Sequence, residues 1–439
     1  MSQVLRIVLA MLAVAGCAPS ASDTSAAASA TAESSTTVAA AVVKRAEPVA
    51  PSAPSSSRPL RVLVGGDLIP HRPSLVSPSA IVDALAPLAP LFSEADAVVA
   101  NYEAATGELD KKAFRLAYAA PPAWLASLPA TGINAVTVAN NHACDLGHEG
   151  VETTLATASK AGLIAVGGDM GSDPWAPRTL VERDGKRVCA VAWTTFVNAQ
   201  GGCAKTSRLA IAREDAAGRR AVAAAVKRAT STCDATIAIF HGGEEYVRQT
   251  PAVMRVARQA AEAGAAAVVI HHPHVASPVV VHRTKDGRRV PIFASIGNLV
   301  SNQGESWKPP MFPVLRENRR LVCVNGWTRL GVLADLSFSF GETPRLDWSF
   351  HLTWTDNDHA ENKSPLPKIA TRVLDPDEDG AILSRLSDDR KGPVALFDDP
   401  CWVERPIADE AARAPHPRCS TSLVPTPERG TVARARKKR

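Results

Sequence analysis

From residue 61 to about residue 283, short β-branched runs alternate with Ala-rich stretches whose apolar positions recur at helical spacing. The strand-like runs are 61–66, 97–101, 135–139, 164–167, 188–193, 235–240 and 267–271. The helical stretches between them are 79–91, 123–130, 149–161, 213–229 and 251–263. This rhythm predicts an α/β domain with mostly parallel, buried strands. From Pro278 the pattern changes: 279–282, 290–294, 331–338 and 345–354 read as antiparallel strands joined by turns such as Lys285-Asp286-Gly287. Beyond about Asp356 prolines and charges rise and periodicity fades, so residues 355–439 are expected to form a C-terminal extension of low order.

The N-terminal pattern is of another kind. The apolar run 7–16 is far shorter than the roughly 20 residues that cross a bilayer, but it has the length of a signal-peptide core. It closes on Val14-Ala15-Gly16-Cys17, small residues directly before a cysteine, which resembles a bacterial lipobox with Cys17 as the lipidated residue. Residues 1–17 are therefore expected to be a lipoprotein signal peptide. Residues 18–58, almost all Ala, Ser, Thr, Pro and Val, read as a tether that cannot bury enough surface to order itself. The expected location is the cell envelope, anchored to lipid at the periplasmic or extracellular face. Ala18 in place of Asp after the cysteine favours the outer membrane where the cell has one.

An exported chain permits disulfides. Seven cysteines remain after Cys17, an odd number that leaves at least one thiol, and no Cys-x-x-Cys pair marks a zinc ribbon or redox motif. Cys189 and Cys233 fall in strand-like apolar runs and are expected to be buried free thiols. Cys203, Cys401 and Cys419 lie in loop-like sequence and are the better disulfide candidates.

Composition adds two exclusions. Hydrophobic residues at 46% rule out wholesale disorder. A net charge of only +5, with its one basic run at 434–439, leaves little support for a nucleic-acid binder.

Chemistry-bearing residues collect where the strand-like runs end. Asp67 ends the first, Asn101-x-Glu103 the second, and Asn140-Asn141-His142 with Asp145 the third. Later runs end in His241-Gly242-Gly243-Glu244-Glu245 and in His271-His272-Pro273-His274. Strand C-termini are where ligands bind in open α/β sheets. A set of imidazoles, carboxylates and amides suits Zn, Mn or Fe. In extended backbone His272 and His274 would point the same way, into one cavity.

In this order the motifs resemble the CapA family of bacterial capsule and poly-γ-glutamate synthesis proteins, whose domain is related to calcineurin-like metallophosphoesterases. The resemblance runs over about residues 60–305. It is carried by Val64-Gly65-Gly66-Asp67, Asn101-x-Glu103, Ala139-Asn140-Asn141-His142-Ala143-x-Asp145-x-Gly147, His241-Gly242-Gly243-x-Glu245-Tyr246, His271-His272-Pro273-His274-Val275 and Ser295-Ile296-Gly297-Asn298. It implies a four-layer α/β/β/α sandwich of metallophosphoesterase type with mixed sheets, over residues 60–354. It also implies one or two divalent ions held by Asp67, Glu103, Asn141, His241, His272 and His274, with His142 as acid. His71, His271, Asp145, Glu245 and Asn298 would be auxiliary. The chain departs from the phosphoesterase pattern at three places: Ile69 stands where a His is usual, Glu103 where an Asp bridges metals, and Gly242 where many CapA relatives carry Trp. His71 could substitute only if its loop turns it back.

The function implied is a metal-dependent hydrolase or transferase acting on an anionic surface polymer or a phosphoester. The alternative is a non-catalytic accessory protein that binds the polymer or braces a membrane synthase.

Overall fold

The structure, a computed structural model, describes residues 58–425 except 72, 109–116, 172, 199–202, 204–205, 248, 309–318, 365, 376–378 and 381–418. The proposed lipobox with Cys17 and nearly all of the tether lie outside the described residues. The strands, in chain order, are β1 (Leu60–Leu68), β2 (Ala97–Tyr102), β3 (Ala105–Thr106), β4 (Ala119–Ala120), β5 (Ala135–Thr137), β6 (Ile164–Val166), β7 (Arg178–Arg183), β8 (Lys186–Thr194), β9 (Ala235–His241), β10 (Ala267–His271), β11 (Ala276–Arg283), β12 (Arg289–Ile296), β13 (Asn298–Val300), β14 (Leu330–Ser339), β15 (Arg345–Asn357), β16 (Ile369–Val373) and β17 (Cys419–Ser422). The helices are α1 (Pro78–Leu85), α2 (Ala89–Ser93), α3 (Pro122–Ala126), α4 (Gly147–Lys160), α5 (Ala216–Thr230), α6 (Pro251–Glu262) and α7 (His359–Asn362).

Among the described residues the strands form a mixed nine-stranded sheet, ordered β16-β15-β14-β1-β2-β5-β6, with β13 added to β1 and β17 to β15. A second, six-stranded sheet is ordered β11-β12-β10-β9-β8-β7. Each has a parallel centre, as the continuous apolar runs predict: β1-β2-β5-β6 in one and β8-β9-β10-β12 in the other. The later hairpins β11-β12 and β14-β15 are antiparallel, also as read from sequence.

Three apolar layers follow. Val62, Val64 and Val99 of the large sheet pack with Ile237, Ile239 and Val269 of the small one, so the sheets face each other. Leu63 and Val98, on the other face of the large sheet, bury against Leu85, Leu125 and Leu155 of α1, α3 and α4. Phe240 and Val268 do the same with Val226 of α5 and Val256 of α6. Helix α6 shows why these segments are helical. Pro251 sits at its start, Thr250 caps it by accepting from Val253 N–H, and its buried residues Val253, Val256, Ala257 and Ala260 form one stripe.

Several expectations need correcting. The predicted helix 79–91 is split, because Pro87 and Pro90 interrupt its hydrogen bonding, and a 3₁₀ turn at Ala86–Leu88 separates α1 from α2. Pro129 likewise ends α3 early in favour of a 3₁₀ turn at Leu128–Thr131. Strand β7 was hidden because it is a charged edge strand. It is set by a tight hairpin with Asp184 and Gly185 both at positive φ. Parts of the C-terminal extension join the large sheet: β17 pairs with the first residues of β15 and β16 with its last, so the two share its outer edge. Strands this short and this polar carry no period long enough to read.

Cys189 and Cys233 are not free: they form a disulfide, since β8 and β9 lie side by side and bring the two Cα atoms to 6.1 Å. Cys144 pairs with Cys203, and Cys419 is also disulfide-bonded, whereas Cys323 is a thiol. Cys401 lies outside the described residues. The disulfides point to an extracytoplasmic domain.

Candidate metal centre

The polar residues singled out at strand ends meet at one place, where the parallel strands of both sheets finish. The large sheet supplies Asp67 near the end of β1, Glu103 just after β2 and Asn141 in the loop after β5. The small sheet supplies His241 as the last residue of β9, and His272 and His274 just after β10. All six are at least nine-tenths buried.

The chain reaches this geometry through the paired glycines of β1. A Cβ on Gly66 would lie 2.1 Å from the Gly297 carbonyl oxygen, so only glycine lets β13 close onto β1 here. That approach puts Asn298 level with Asp67 in the register and lets Asp67 N–H bond the Gly297 carbonyl. Gly297 itself has φ +65°, turning the chain between β12 and β13.

The ligand atoms converge. One oxygen of Glu103 and one nitrogen each of His272 and His274 lie within 4.8 Å of one another, as do ligand atoms of Asp67, Glu103 and His241. Asn141 Oδ1 stands 2.8 Å from His241 Nε2. His274 Nδ1 faces two acceptors, Asn298 Oδ1 at 2.9 Å and Asp67 Oδ2 at 3.2 Å, so it carries the proton. Its Nε2 faces Glu103 Oε1, 3.7 Å away. Asn298 is held for this task by its own amide, which donates to Ser301 Oγ, Gln303 Oε1 and the Thr328 carbonyl.

His272 and His274 do reach one cavity, but not by strand alternation. His272 has φ 101° and His274 φ 58°, so both sit in left-handed backbone on either side of Pro273. Non-glycine residues adopt that conformation at a cost, and such strain gathers at functional sites. The third histidine, His271, points elsewhere and donates from Nε2 to the Gly65 carbonyl, tying the two sheets together.

Electrostatics separates the group into two kinds. Burial, then the neighbouring positive charge of His274, brings His272 down to about 3. Burial, then His272, holds His241 well below the ordinary imidazole value. Both are neutral, the form that ligates metal. Burial would also lower His274, but the hydrogen bond and charge of Asp67 overcome it and leave it raised. Burial would raise Asp67, but the bond from His274 and the charge it carries hold it below the carboxylate range. Glu103 has no such support. Burial, then the charges of Asp67 and Glu245, push it well above the usual range, and both its oxygens are buried without a hydrogen-bond partner. His272 Nδ1 is buried and unpartnered as well. A buried carboxylate in this condition is costly unless a cation meets it, and a divalent ion among these residues supplies both the missing contact and the missing charge. The residues therefore fit a metal.

The auxiliary residues fall into place unevenly. His71 is not turned back into the cluster: its Nδ1 accepts from Asn302 N–H at 2.9 Å and its Nε2 meets Tyr118 OH at 3.2 Å. Ile69 is fully buried. Glu245 is half-buried and acts on Glu103 and His274 through its charge. Asp145 orients no ligand; its Oδ2 lies 2.5 Å from His142 Nδ1. His142 therefore donates from Nδ1 and keeps Nε2 for another partner. A Cβ at Gly242 would stand 2.4 Å from Thr195 Oγ1, so that side chain fills space beside the glycine.

Two residues were missed as site residues. Asn101, visible in the Asn-x-Glu motif, donates from Nδ2 to Asp67 Oδ1 at 2.8 Å and to His241 Nδ1 at 3.1 Å, while its Oδ1 accepts from Thr137. Asn198 bonds both the Asn141 carbonyl and Asp145, and no motif marks it.

Comparison with known proteins decides the family. The model of the bacterial capsule synthesis protein PGA_cap matches residues 61–303, more than half of the chain. The chain belongs to the PGA_cap family. Among relatives, it is 26% identical over 270 residues to the capsule biosynthesis protein CapA of Bacillus anthracis, covering 60% of this chain and 64% of that one. It is 29% identical over 167 residues to the PGA biosynthesis protein CapA of Bacillus subtilis (strain 168), covering 38% of this chain and 42% of the relative. The alignments thus span less than two thirds of either relative. Asp67, Asn101, Glu103, Asn141, His142, Asp145, Asn198, His241, His272, His274 and Asn298 all fall within the matched span.

Proposed function

We propose that this protein is a lipid-anchored envelope enzyme of capsule or poly-γ-glutamate biosynthesis, a metal-dependent hydrolase or transferase working on an anionic surface polymer or phosphoester. The domain would be a four-layer sandwich of metallophosphoesterase type, and the three apolar layers between helices and sheets support that reading. The observation that carries the proposal is Glu103, both of whose buried oxygens lack a partner inside a ring of Asp67, His241, His272 and His274. Asp67, Glu103, Asn141, His241, His272 and His274 would hold the cation, one ion or two, of Mn, Zn or Fe type. A bound divalent ion supplies Lewis-acid activation and charge stabilisation near neutral pH.

The chain's own residues do the rest. Asn298 and Asp67 fix the His274 ring, and Asn101 fixes Asp67, so these ligand groups are set before a substrate arrives. His142, oriented through Nδ1 by Asp145, presents Nε2 to the site, and once a second proton has been taken up on Nε2 the ring would deliver that proton to a leaving group. The lipobox at Cys17 would anchor the enzyme to the envelope membrane, where membrane synthase components are its natural partners.

The test is to purify the protein, measure bound metal, and assay p-nitrophenyl phosphate esters and poly-γ-glutamate. Wild type is expected to bind metal and to turn over at least one of them in a metal-dependent way. Asp67→Ala should lose metal, whereas His142→Ala should keep metal and lose turnover. A protein with no metal and no metal-dependent turnover would overturn the enzyme reading and leave the accessory role. Mass spectrometry of the membrane-extracted N-terminus tests the lipid on Cys17.

A further inference from the structure

The loop that carries Asn141 and His142 belongs to the large sheet, yet two of its fastenings come from the small one. Chain leaving β8 passes over it. Phe196, 37% exposed, sets its ring edge-on to His272 with centroids 5.1 Å apart. Two residues on, Asn198 N–H bonds the Asn141 carbonyl at 2.9 Å. Further along, Cys203 is joined to Cys144, which lies in sequence between His142 and Asp145, and both cysteines are fully buried.

Between these points sits the Asp145 carboxylate. Its Oδ2 receives the Tyr118 backbone N–H at 2.7 Å and faces His142 Nδ1. Its Oδ1 receives the Asn198 side-chain amide at 3.3 Å, the only donor to that oxygen among the described residues. The Asn198 amide also lies 3.3 Å from His142 Nδ1, so the two donors converge on one carboxylate. The reverse amide orientation would set oxygen against oxygen. A carboxylate torsion is broad and two-fold, so a donor on the far oxygen decides which one the imidazole meets.

We propose that Asn198 is a positioning residue for the His142–Asp145 pair, and that the chain after β8, pinned at Asn198 and again by the Cys144–Cys203 disulfide, clamps the proton-donor loop. This deepens the reading of His142 as proton donor and rests on it. Asn198 keeps the Asp145 carboxylate facing Nδ1, so the ring keeps one proton there and leaves Nε2 as the nitrogen that takes up and delivers the second. The disulfide fixes the same two segments covalently, so the clamp is completed only where disulfides form.

The experiment uses full-length protein labelled with ¹⁵N-histidine, with the His142 signals identified by their loss in His142→Ala. Wild type is expected to show His142 as a single Nδ1-protonated tautomer with a slowly exchanging proton. Asn198→Asp, which keeps size but replaces the donor by an acceptor, and Asn198→Ala should each give mixed tautomers and fast exchange. Asn198→Gln, which keeps the donor, should restore most of the wild-type signal. Bound metal per chain should be unchanged in all three, which separates this proposal from the metal reading: absent metal in wild type would sink the latter alone. His142 signals in Asn198→Asp and Asn198→Ala that coincide with wild type would overturn the clamp.

Discussion

Asn101 Nδ2 lies 3.1 Å from His241 Nδ1, a side-chain hydrogen bond from the end of a strand in one sheet to the end of a strand in the other. The same nitrogen holds Asp67 at 2.8 Å, so one amide ties residues of both sheets together and orients the Asp67 carboxylate. Asn101→Ala should therefore loosen Asp67 as a ligand. The expected loss in metal affinity is about 10–100-fold, the usual cost of removing a ligand's orienting partner. Competition with a fluorescent chelator would measure it, and an unchanged affinity would remove Asn101 from the site.

Gly66 is the residue whose replacement should hurt the fold most. A methyl group there meets backbone, not a side chain that can swing away, and β1 must part from β13. Gly66→Ala should cost more than about 4 kcal/mol, in the range of severe core disruptions, and lower the melting temperature sharply. Gly341→Ala is the control, since nothing lies within 4 Å of the added carbon, and it should leave melting unchanged.

Metal removal should also register in stability. A ligand that binds only the folded chain at about 100 times its Kd adds about 2.7 kcal/mol. Chelation should lower the melting temperature of wild type and leave Asp67→Asn where it was. Equal responses in the two proteins would place the chelator's effect away from this centre.

The Cys189–Cys233 disulfide spans 44 residues and stands away from the ligands. Cys189→Ser with Cys233→Ser should cost about 2–4 kcal/mol by releasing the unfolded chain, with metal content unchanged. Denaturant titration with metal analysis on the same samples checks both halves.

How much of this was legible in the sequence depended on whether the determinant was local. Asp67, Glu103, His241 and the His271–His274 run stand at the ends of apolar runs, and position at a strand end is a local fact. The left-handed turns at His272 and His274 were not legible, because alternation assumes extended backbone and Pro273 lies between them. Asn198 carries no motif and gains its role only because the small sheet folds over the large one. The Cys189–Cys233 bond needed the knowledge that β8 and β9 are neighbours. Strands β16 and β17 depend on the open edge of β15, which no residue within them announces.

Strand β14 lies beyond residue 303, where the family match ends, yet it is the antiparallel neighbour of β1 from Leu60 to Val64. The recognisable portion and the foldable unit are therefore different lengths. A fragment cut at the family boundary would bare one flank of the strand that delivers Asp67 and strip away the ring of Trp348, Phe350 and Trp354 packed between the sheets. The part of the chain that matches the family holds the chemistry, and the strands beyond it keep that part from ending in an open, sticky edge.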